Sequence, residues 1–569
     1  MLSAILPLGI LLSVLSVALP QASAPASRPS PQAPPVADAH AKLRAGDYAG
    51  AAAGFRAILE TKPEHPDANY LLGYALHAQG KYAEALALHE KAARFPATAA
   101  MASYNAACAH ALLGHADAAF HWLEKARAAG FNDFFLLTHD TDLNSLADDP
   151  RWKAYKPGGL DLARPFAEER TILYDFVGET PGDQFGWIAR AIGDFDRDGV
   201  VDFASTAPFH NGGQGAVYVY SGRTGALRIK HMGKSGEQLG WTVAGAQDID
   251  GDGRAEYVIG APGGPTQTGR AVVIRGRDHE SLFELSGTEP GERFGEDVAG
   301  VGDQDGDGVP DLLIGAPKHD GTGADTGRVA LVSGKSGTIL KDWPGSAAGA
   351  GYGDAVAGCG GPGGLLAVSA TSDGGKGKVH VVGSDGLERF TIELVAGSRK
   401  LGWFVSVIPD IDGDGAPDIY ATDWQDCSRT LGAGRIVVAS GKDGRTKLEL
   451  FGRSEREGFG IGVAGRDDLD GDGAPDLVVG AWQNCDRGAG CGRVAVHSGR
   501  GGAVIGEITG VIPGDALGFD ADTVGDVNGD GIADLLITSA YSYRGATTGG
   551  RAYVVSGAFC RKARSSVAK

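Results

Sequence analysis

Two textures of apolar spacing divide this chain. Between about residue 37 and residue 156, Ala and Leu dominate long runs that predict helices. From Thr171 to about Phe559 the apolar runs shorten and alternate with polar residues, as in "GAVYVYSG", "GRAVVIRG", "GRVALVSG", "GRIVVASG", "GRVAVHSG" and "GRAYVVSG". Alternation closed by Ser-Gly or Arg-Gly turns is the period-2 signature of strands.

The helical part repeats itself every 34 residues. Gly46, Gly80 and Gly114 mark the turn inside each unit, and Tyr48 and Tyr82 follow two of them, with Ala116 in the third. Ala51, Ala85 and Ala119 stand where helices must approach closely, and Pro63 and Pro96 end second helices. Period and positions resemble the tetratricopeptide repeat. That resemblance implies a short solenoid with a groove for a peptide or partner. "NDFFLLTHDTDLNSLADDPRW" predicts one capping helix after the third unit.

The strand-rich part carries a longer unit with three landmarks in fixed order. The first is an aromatic residue or leucine before glycine: Phe185-Gly186, Leu239-Gly240, Phe294-Gly295, Tyr352-Gly353, Leu401-Gly402, Phe459-Gly460 and Leu517-Gly518. An acidic loop follows, then an apolar strand ending in "STAP", "IGAP", "IGAP", "VSAT", "YATD", "VGAW" or "TSAY". Seven units at spacings of 54, 55, 58, 49, 58 and 58 residues result. These landmarks closely resemble the FG-GAP repeats of the integrin alpha-subunit head, which implies a seven-bladed β-propeller. The last unit lacks its final strand after "GRAYVVSGA", and a spare copy, "RTILYDFVG", precedes the first Phe-Gly. The spare strand is expected to complete the last blade and close the ring. The expected fold is thus multidomain: an all-α solenoid followed by an all-β seven-bladed propeller.

Six acidic loops obey D-x-[DN]-x-D-G-x-x-[DE]. They are Asp194, Asp196, Asp198 and Asp202; Asp248, Asp250, Asp252 and Glu256; Asp303, Asp305, Asp307 and Asp311; Asp410, Asp412, Asp414 and Asp418; Asp468, Asp470, Asp472 and Asp476; and Asp526, Asn528, Asp530 and Asp534. Oxygen donors at positions 1, 3 and 5 converge if the backbone curls, glycine at position 6 allows the curl, and position 9 closes the shell. Hard oxygen donors in that number suit Ca2+ better than Mg2+. Position 12, where an EF-hand needs Glu, holds Ser205, Ile259, Ile314, Ala421, Val479 and Ile537, and the flanks are strands. The integrin-type resemblance carries its metal-binding residues onto these same positions. In the fourth unit "AGCGGPGGLLAV" replaces the loop, so no ion is expected there. About six Ca2+ sites follow, and six divalent cations would offset much of the formal charge of −19. Loop seven, with Asn528 in place of an acid, is expected to be weaker than loop three.

The 91 glycines without a Gly-X-Y period fit many tight turns rather than collagen. The negative charge argues against a nucleic-acid partner. Ile5 to Leu19 followed by small residues near Ala24 reads as a secretory signal, and no other segment is apolar enough to span a bilayer. The expected order is a signal peptide at 1–24, a Pro-rich linker at 25–36, helical repeats at 37–156, a linker at 157–169, the propeller at 170–560 and a basic tail at 561–569. Cys485 and Cys491 share one loop and could bridge in an oxidising compartment, while Cys108 reads as a buried small residue. His110, His115 and His121 do not share a helix face at i, i+4 spacing, so they carry no zinc site on sequence grounds. The two "GKS" stretches, at 233–235 and 334–336, lack the earlier glycine of a phosphate loop, and no nucleophile elbow or H-E-x-x-H is present. Trp187, Trp241 and Trp403 read as packing residues, with a sugar-stacking platform as the alternative. The combined expectation is a secreted, periplasmic or cell-surface protein that binds without catalysis, by adhesion or scaffolding. Its partners would be proteins on the propeller face or in the helical groove. A lectin, or an enzyme cleaving polysaccharide or lipid, is the alternative.

Overall fold

The computed structural model describes residues 39–561, apart from 41, 44–45, 96–97, 130, 132–136, 138–139, 155–163, 362–363, 395–396, 488–489 and 543–547. The expected signal peptide, Pro-rich linker, Pro96, residues 157–163 of the second linker and nearly all of the basic tail lie outside the described residues. Two compact units divide between residues 159 and 160.

The first unit is helical: α1 (Tyr48–Thr61), α2 (Pro66–His77), α3 (Tyr82–Ala92), α4 (Ala99–Leu112) and α5 (Ala116–Ala128). Each repeat turns on a glycine at positive φ, at 76° for Gly46 and Gly80 and 78° for Gly114. The N–H after each glycine returns to a carbonyl five residues back, as Lys81 does to Leu76 at 3.0 Å. That bond satisfies an orphan helix-end carbonyl, and only glycine takes the left-handed conformation without cost. Ala51, Ala85 and Ala119 are fully buried at the helix contacts. The single capping helix expected over 132–152 is not what forms. Among the described residues that stretch makes two 3-10 turns, Thr141–Leu146 and Pro150–Ala154. Asp140 caps the first through the Asp142 N–H at 3.0 Å, and Pro150 disfavours a helical Asp149, so one helix cannot run through both.

The second unit holds seven four-stranded antiparallel sheets. In the third blade the strands are Val298–Gly302, Asp311–Ala316, Arg328–Val332 and Ile339–Pro344. The second and third strands are buried throughout, which explains their near-continuous apolar runs, whereas the outer strand alternates. β1 (Ile172–Val177) pairs antiparallel with Arg551–Val555 and completes the last blade, as the spare strand predicted. Phe185 bridges Gly550 in the same ring, the counterpart of Leu239 with Gly215 one blade on and Phe294 with Gly269 two blades on. The glycine after each aromatic sits where blades meet. A Cβ on Gly295 would lie 2.4 Å from the Arg270 carbonyl oxygen, at a φ of +83°.

A second repeated device was not visible in the landmarks. The carboxylate two residues before the aromatic reaches the arginine that opens the third strand. Glu292 accepts from Arg328 Nε at 3.0 Å, and Glu457 accepts from Arg493 Nη2 at 2.6 Å, with all four side chains buried. Burial alone would raise Glu292, but the hydrogen bonds and charge of Arg328 outweigh it and hold the carboxyl below its ordinary range. In the last blade this latch is rewired. Arg551 turns to Asp175 on β1 at 2.6 and 2.7 Å, while burial pushes Asp515 up to about 6. Because that value lies above the ordinary 3.8, the protonated Asp515 favours folding, and that advantage is lost as pH rises from about 3.8 through about 6. Asp515→Asn should therefore raise the thermal midpoint at pH 8, by on the order of 3 kcal/mol of stability, and leave it nearly unchanged at pH 3. Paired melting curves at the two pH values check this.

Candidate metal centres and the opposite face

In an antiparallel four-stranded blade, the connections between strands one and two and between strands three and four share one end. Each acidic loop occupies the first of these connections. Position 2 is an apolar anchor in five loops, where Phe195, Ile249, Ile411, Leu469 and Val527 are buried, and Gln304 is buried in the third. Anchoring forces the flanking acids outward. The position-1 carboxylate then gathers backbone amides: Asp303 accepts from Gly306 at 2.7 Å and from Gly308 at 2.9 Å. Those N–H donors hold Asp303 below the ordinary carboxylate range. Glycine is required at the tip because Gly308 has a φ of +86°.

Position 9 works differently. Asp202, Glu256, Asp311, Asp418 and Asp534 are fully buried at the start of the second strand, and Asp476 nearly so. All but Asp418 tie two connections together. Asp202 accepts from the Phe195 N–H at 2.9 Å and from the Gly222 N–H, in the strand three-to-four turn, at 2.8 Å. Asp311 does the same with Gln304 at 2.7 Å and Gly334 at 3.0 Å. Burial, and the negative charges of Asp196 and Asp194, push Asp202 up to about 7 despite those donors. Burial and Asp412, Asp410 and Asp414 push Asp418 up to about 6. A carboxylate that is buried beside like charges is a group that a cation stabilises.

The structure brings positions 1, 3 and 9 together. One oxygen from each of Asp194, Asp196 and Asp202 lies within 4.8 Å of the others, and the same holds for Asp248, Asp250 and Glu256, for Asp303, Asp305 and Asp311, and for Asp410, Asp412 and Asp418. Position 5 is drawn elsewhere. Asp198 pairs with Arg223 at 3.0 Å, Asp307 with Lys335 at 3.6 Å, Asp472 with Arg500 at 3.5 Å, and Asp414 accepts from Ser440 Oγ at 2.7 Å. In the sixth loop Asp468 accepts from Gly471 at 2.7 Å and Asp476 from Leu469 at 2.8 Å, the same arrangement. In the seventh, Asp526 accepts from Gly529 at 2.6 Å, and Asp530 caps Ile532 at 3.0 Å. There the Asn528 amide nitrogen donates to Asp534 at 3.1 Å, so a donor stands where the other loops place an acceptor. Asn528→Asp should strengthen ion binding at that loop severalfold, since affinity follows ligand charge; competition against a calcium-sensitive dye measures it.

The donor set fits a hard divalent cation. All candidate donor atoms are oxygens, three converge in each of the four loops just named, and Asp196 Oδ1 and Asp418 Oδ1 are buried with no hydrogen-bond partner among the described residues. Such orphaned acceptors call for a cation or ordered water. The fourth blade differs. Tyr352–Gly358 turns into Leu365–Ala370 through a glycine-rich connection without acids.

The connections at the other end of the blades carry aromatic rings instead. Trp187 contacts Phe209 at 5.2 Å, Trp241 at 5.3 Å and Phe519 at 5.0 Å between ring centroids. The chain of contacts continues from Phe519 to Trp482 at 5.7 Å, Trp482 to Trp424 at 6.1 Å, and Trp424 to Trp403 at 5.9 Å. Thus Trp187 and Trp241 do pack between blades, whereas Trp403 meets Trp424 of its own blade, and the rings form one arc over blades five, six, seven, one and two. Trp403 is 36% exposed, with the Lys400 ammonium 5.2 Å above its ring. Tyr541 joins the chain against Trp482 and Phe519, and with Phe209, Trp424 and Trp482 it stands at or just after the end of the second strand of its blade.

Two cysteine and histidine expectations resolve here. Cys485 and Cys491 are both free thiols, not a bridge. Cys485 Sγ instead lies 3.1 Å from the Gln483 carbonyl and accepts from the Gly490 N–H, while Cys491 is buried. His110 and His115 meet across the Gly114 turn, Nδ1 to Nδ1 at 3.4 Å, and His121 rests near Trp122.

Comparison with known proteins agrees with this geometry. The FG-GAP repeat profile matches residues 185–220, 239–274, 294–332 and 520–555, within blades one, two, three and seven. The tetratricopeptide repeat profile matches residues 36–100. The chain is 26% identical to integrin alpha-5 of Xenopus laevis over 255 residues, 43% of this chain and 20% of the relative. It is 32% identical to integrin alpha-V of Gallus gallus over 146 residues, 24% of this chain and 14% of the relative. It is 40% identical to phosphatidylinositol-glycan-specific phospholipase D of Rattus norvegicus over 95 residues, 14% of this chain and 11% of the relative. The chain therefore spans a fifth or less of the length of these relatives.

Proposed function

From the premise that this chain is an FG-GAP-repeat seven-bladed propeller with tetratricopeptide repeats, we propose that it is a secreted or surface-exposed binding protein whose propeller holds structural Ca2+ and recognises a protein partner without catalysis. One observation carries the division of labour. The carboxylate loops occupy one end of the blades, and an aromatic arc with a partly exposed tryptophan occupies the other. The residues named at positions 1, 3 and 9 would hold each ion, with position 5 joining after it leaves its basic or hydroxyl neighbour. The ion's chemistry is charge neutralisation of a tight turn. The blade's own residues do the rest, clamping two connections through the position-9 carboxylate. Protein recognition is supported by the integrin alpha relatives and by the helical repeats. Among the described residues no helix is long and apolar enough to cross a membrane.

The test is capture of partners from the native envelope by the full chain, with Trp403→Ala in parallel. Capture should weaken in Trp403→Ala while calcium content and thermal midpoint stay fixed. Turnover in a panel of polysaccharide and phospholipid substrates, without stable partners, would instead support the enzymatic reading that the phospholipase relative motivates. Glycan-array binding abolished by Trp403→Ala would favour a lectin.

A further inference from the structure

The helical unit gathers a second kind of donor set. Cys108 on α4 and Asp140 and Asp142 at the capping turn each present one ligand atom, and the three atoms lie within 4.8 Å of one another. Cys108 Sγ stands 3.6 Å from Asp140 Oδ2, and His77 Nε2, at the end of α2, stands 2.8 Å from Asp142 Oδ2. Tyr104 Oη donates to Asp140 Oδ2 at 2.9 Å from the same helix as Cys108. These residues come from three separate elements and from positions 77 to 142, so no sequence motif announces them.

A second observation lies beside the cluster. His89, on α3, is fully buried, and neither ring nitrogen has a hydrogen-bond partner among the described residues. Its ring packs 5.7 Å from that of His77, whose Nδ1 is likewise buried and unpartnered. Three imidazole nitrogens without partners next to a thiol and two carboxylates are costly in a folded interior. A cation bound by the thiol, the two carboxylates and His77 Nε2 would offset the negative charge gathered there, while His77 Nδ1 and both His89 nitrogens stay outside the ligand set.

We propose that Cys108, His77, Asp140 and Asp142 form a zinc site that fastens the capping turn to the helical repeats. Thiolate, imidazole and carboxylate together are a zinc donor set, and the thiol argues against calcium. Bond lengths of about 2.0–2.3 Å place neighbouring tetrahedral donors roughly 3.3–3.7 Å apart, so the Cys108–Asp140 contact already has the spacing of a tetrahedral edge. His77 need only exchange its hydrogen bond to Asp142 for the ion. The ring of His89 packs beside that of the ligating histidine.

The experiment uses the full chain with excess calcium present, so that the propeller loops are saturated and their behaviour is separated from this site. Zinc is titrated in competition with a chromophoric chelator, and cobalt is substituted in parallel. One zinc per chain is expected, with a thiolate-to-cobalt charge-transfer band. Cys108→Ser and Asp142→Asn should each weaken zinc at least about tenfold, and Cys359→Ser should not. Asp142 is partly exposed, so its variant keeps the test open if the Cys108 variant misfolds. No retained zinc, undiminished binding in both variants, or a cobalt complex without the thiolate band overturns the proposal.

Discussion

Removing divalent cations with a chelator should lower the thermal midpoint of the propeller by on the order of 5–15 °C, and restoring Ca2+ should recover it. The size follows from mass action. Extracellular loops of this kind bind with dissociation constants of about 10⁻⁴–10⁻³ M, so about 2 mM free calcium contributes roughly 0.6–1.8 kcal/mol per site. Six sites together contribute roughly 4–11 kcal/mol, the scale of a whole domain's stability. Without the ions, buried carboxylates such as Asp202 and Asp418 face Asp194, Asp196, Asp410 and Asp412 at close range. Mg2+ should restore less, because it dehydrates reluctantly and demands a tighter octahedron. Calorimetry with and without chelator, alongside metal counting by equilibrium dialysis, gives the result. An unmoved midpoint, or a count near seven or two calcium ions per chain, would falsify the assignment.

The loops were legible because a metal-binding turn is local: nine residues carry every donor, and glycine marks the curl. Ring closure was legible for the same kind of reason, since a missing strand at one end matched a surplus strand at the other. What stayed hidden depends on distant pairing. Glu457 and Arg493 stand 36 positions apart, and only sheet geometry makes them neighbours. The position-5 acids look equivalent to their loop partners in sequence, yet Asp198 and Asp307 turn to Arg223 and Lys335 on another hairpin turn. Cys108 read correctly as a buried residue, but its neighbours Asp140 and Asp142 arrive from a segment expected to be one helix. That segment breaks at Pro150, and the break is visible only as a weak local signal against a strongly helical background.

The second large effect concerns closure of the ring. Asp175→Ala should destabilise the propeller by about 3–5 kcal/mol, because Arg551 is fully buried and loses its bidentate carboxylate. The loss spreads further than one ion pair. Phe176 lies 4.2 Å from Tyr220 between ring centroids, and Tyr174 Oη donates to the Arg223 carbonyl at 2.7 Å, so β1 holds the first blade as well as the last. Just upstream, Glu168 accepts from the Thr509 N–H at 2.7 Å and reaches the sixth blade. A chain beginning at residue 179 would expose the edge of Arg551–Val555 and leave a three-stranded last blade, a template for aggregation. Supplying residues 165–178 as a separate peptide should restore a monomeric, cooperatively melting propeller by strand addition. Size-exclusion chromatography and melting curves of the truncated chain with and without the peptide provide the readout. If the truncated chain stays monomeric with an unchanged midpoint, or if Asp175→Ala melts like the parent, β1 is an accessory to the ring and not its clasp.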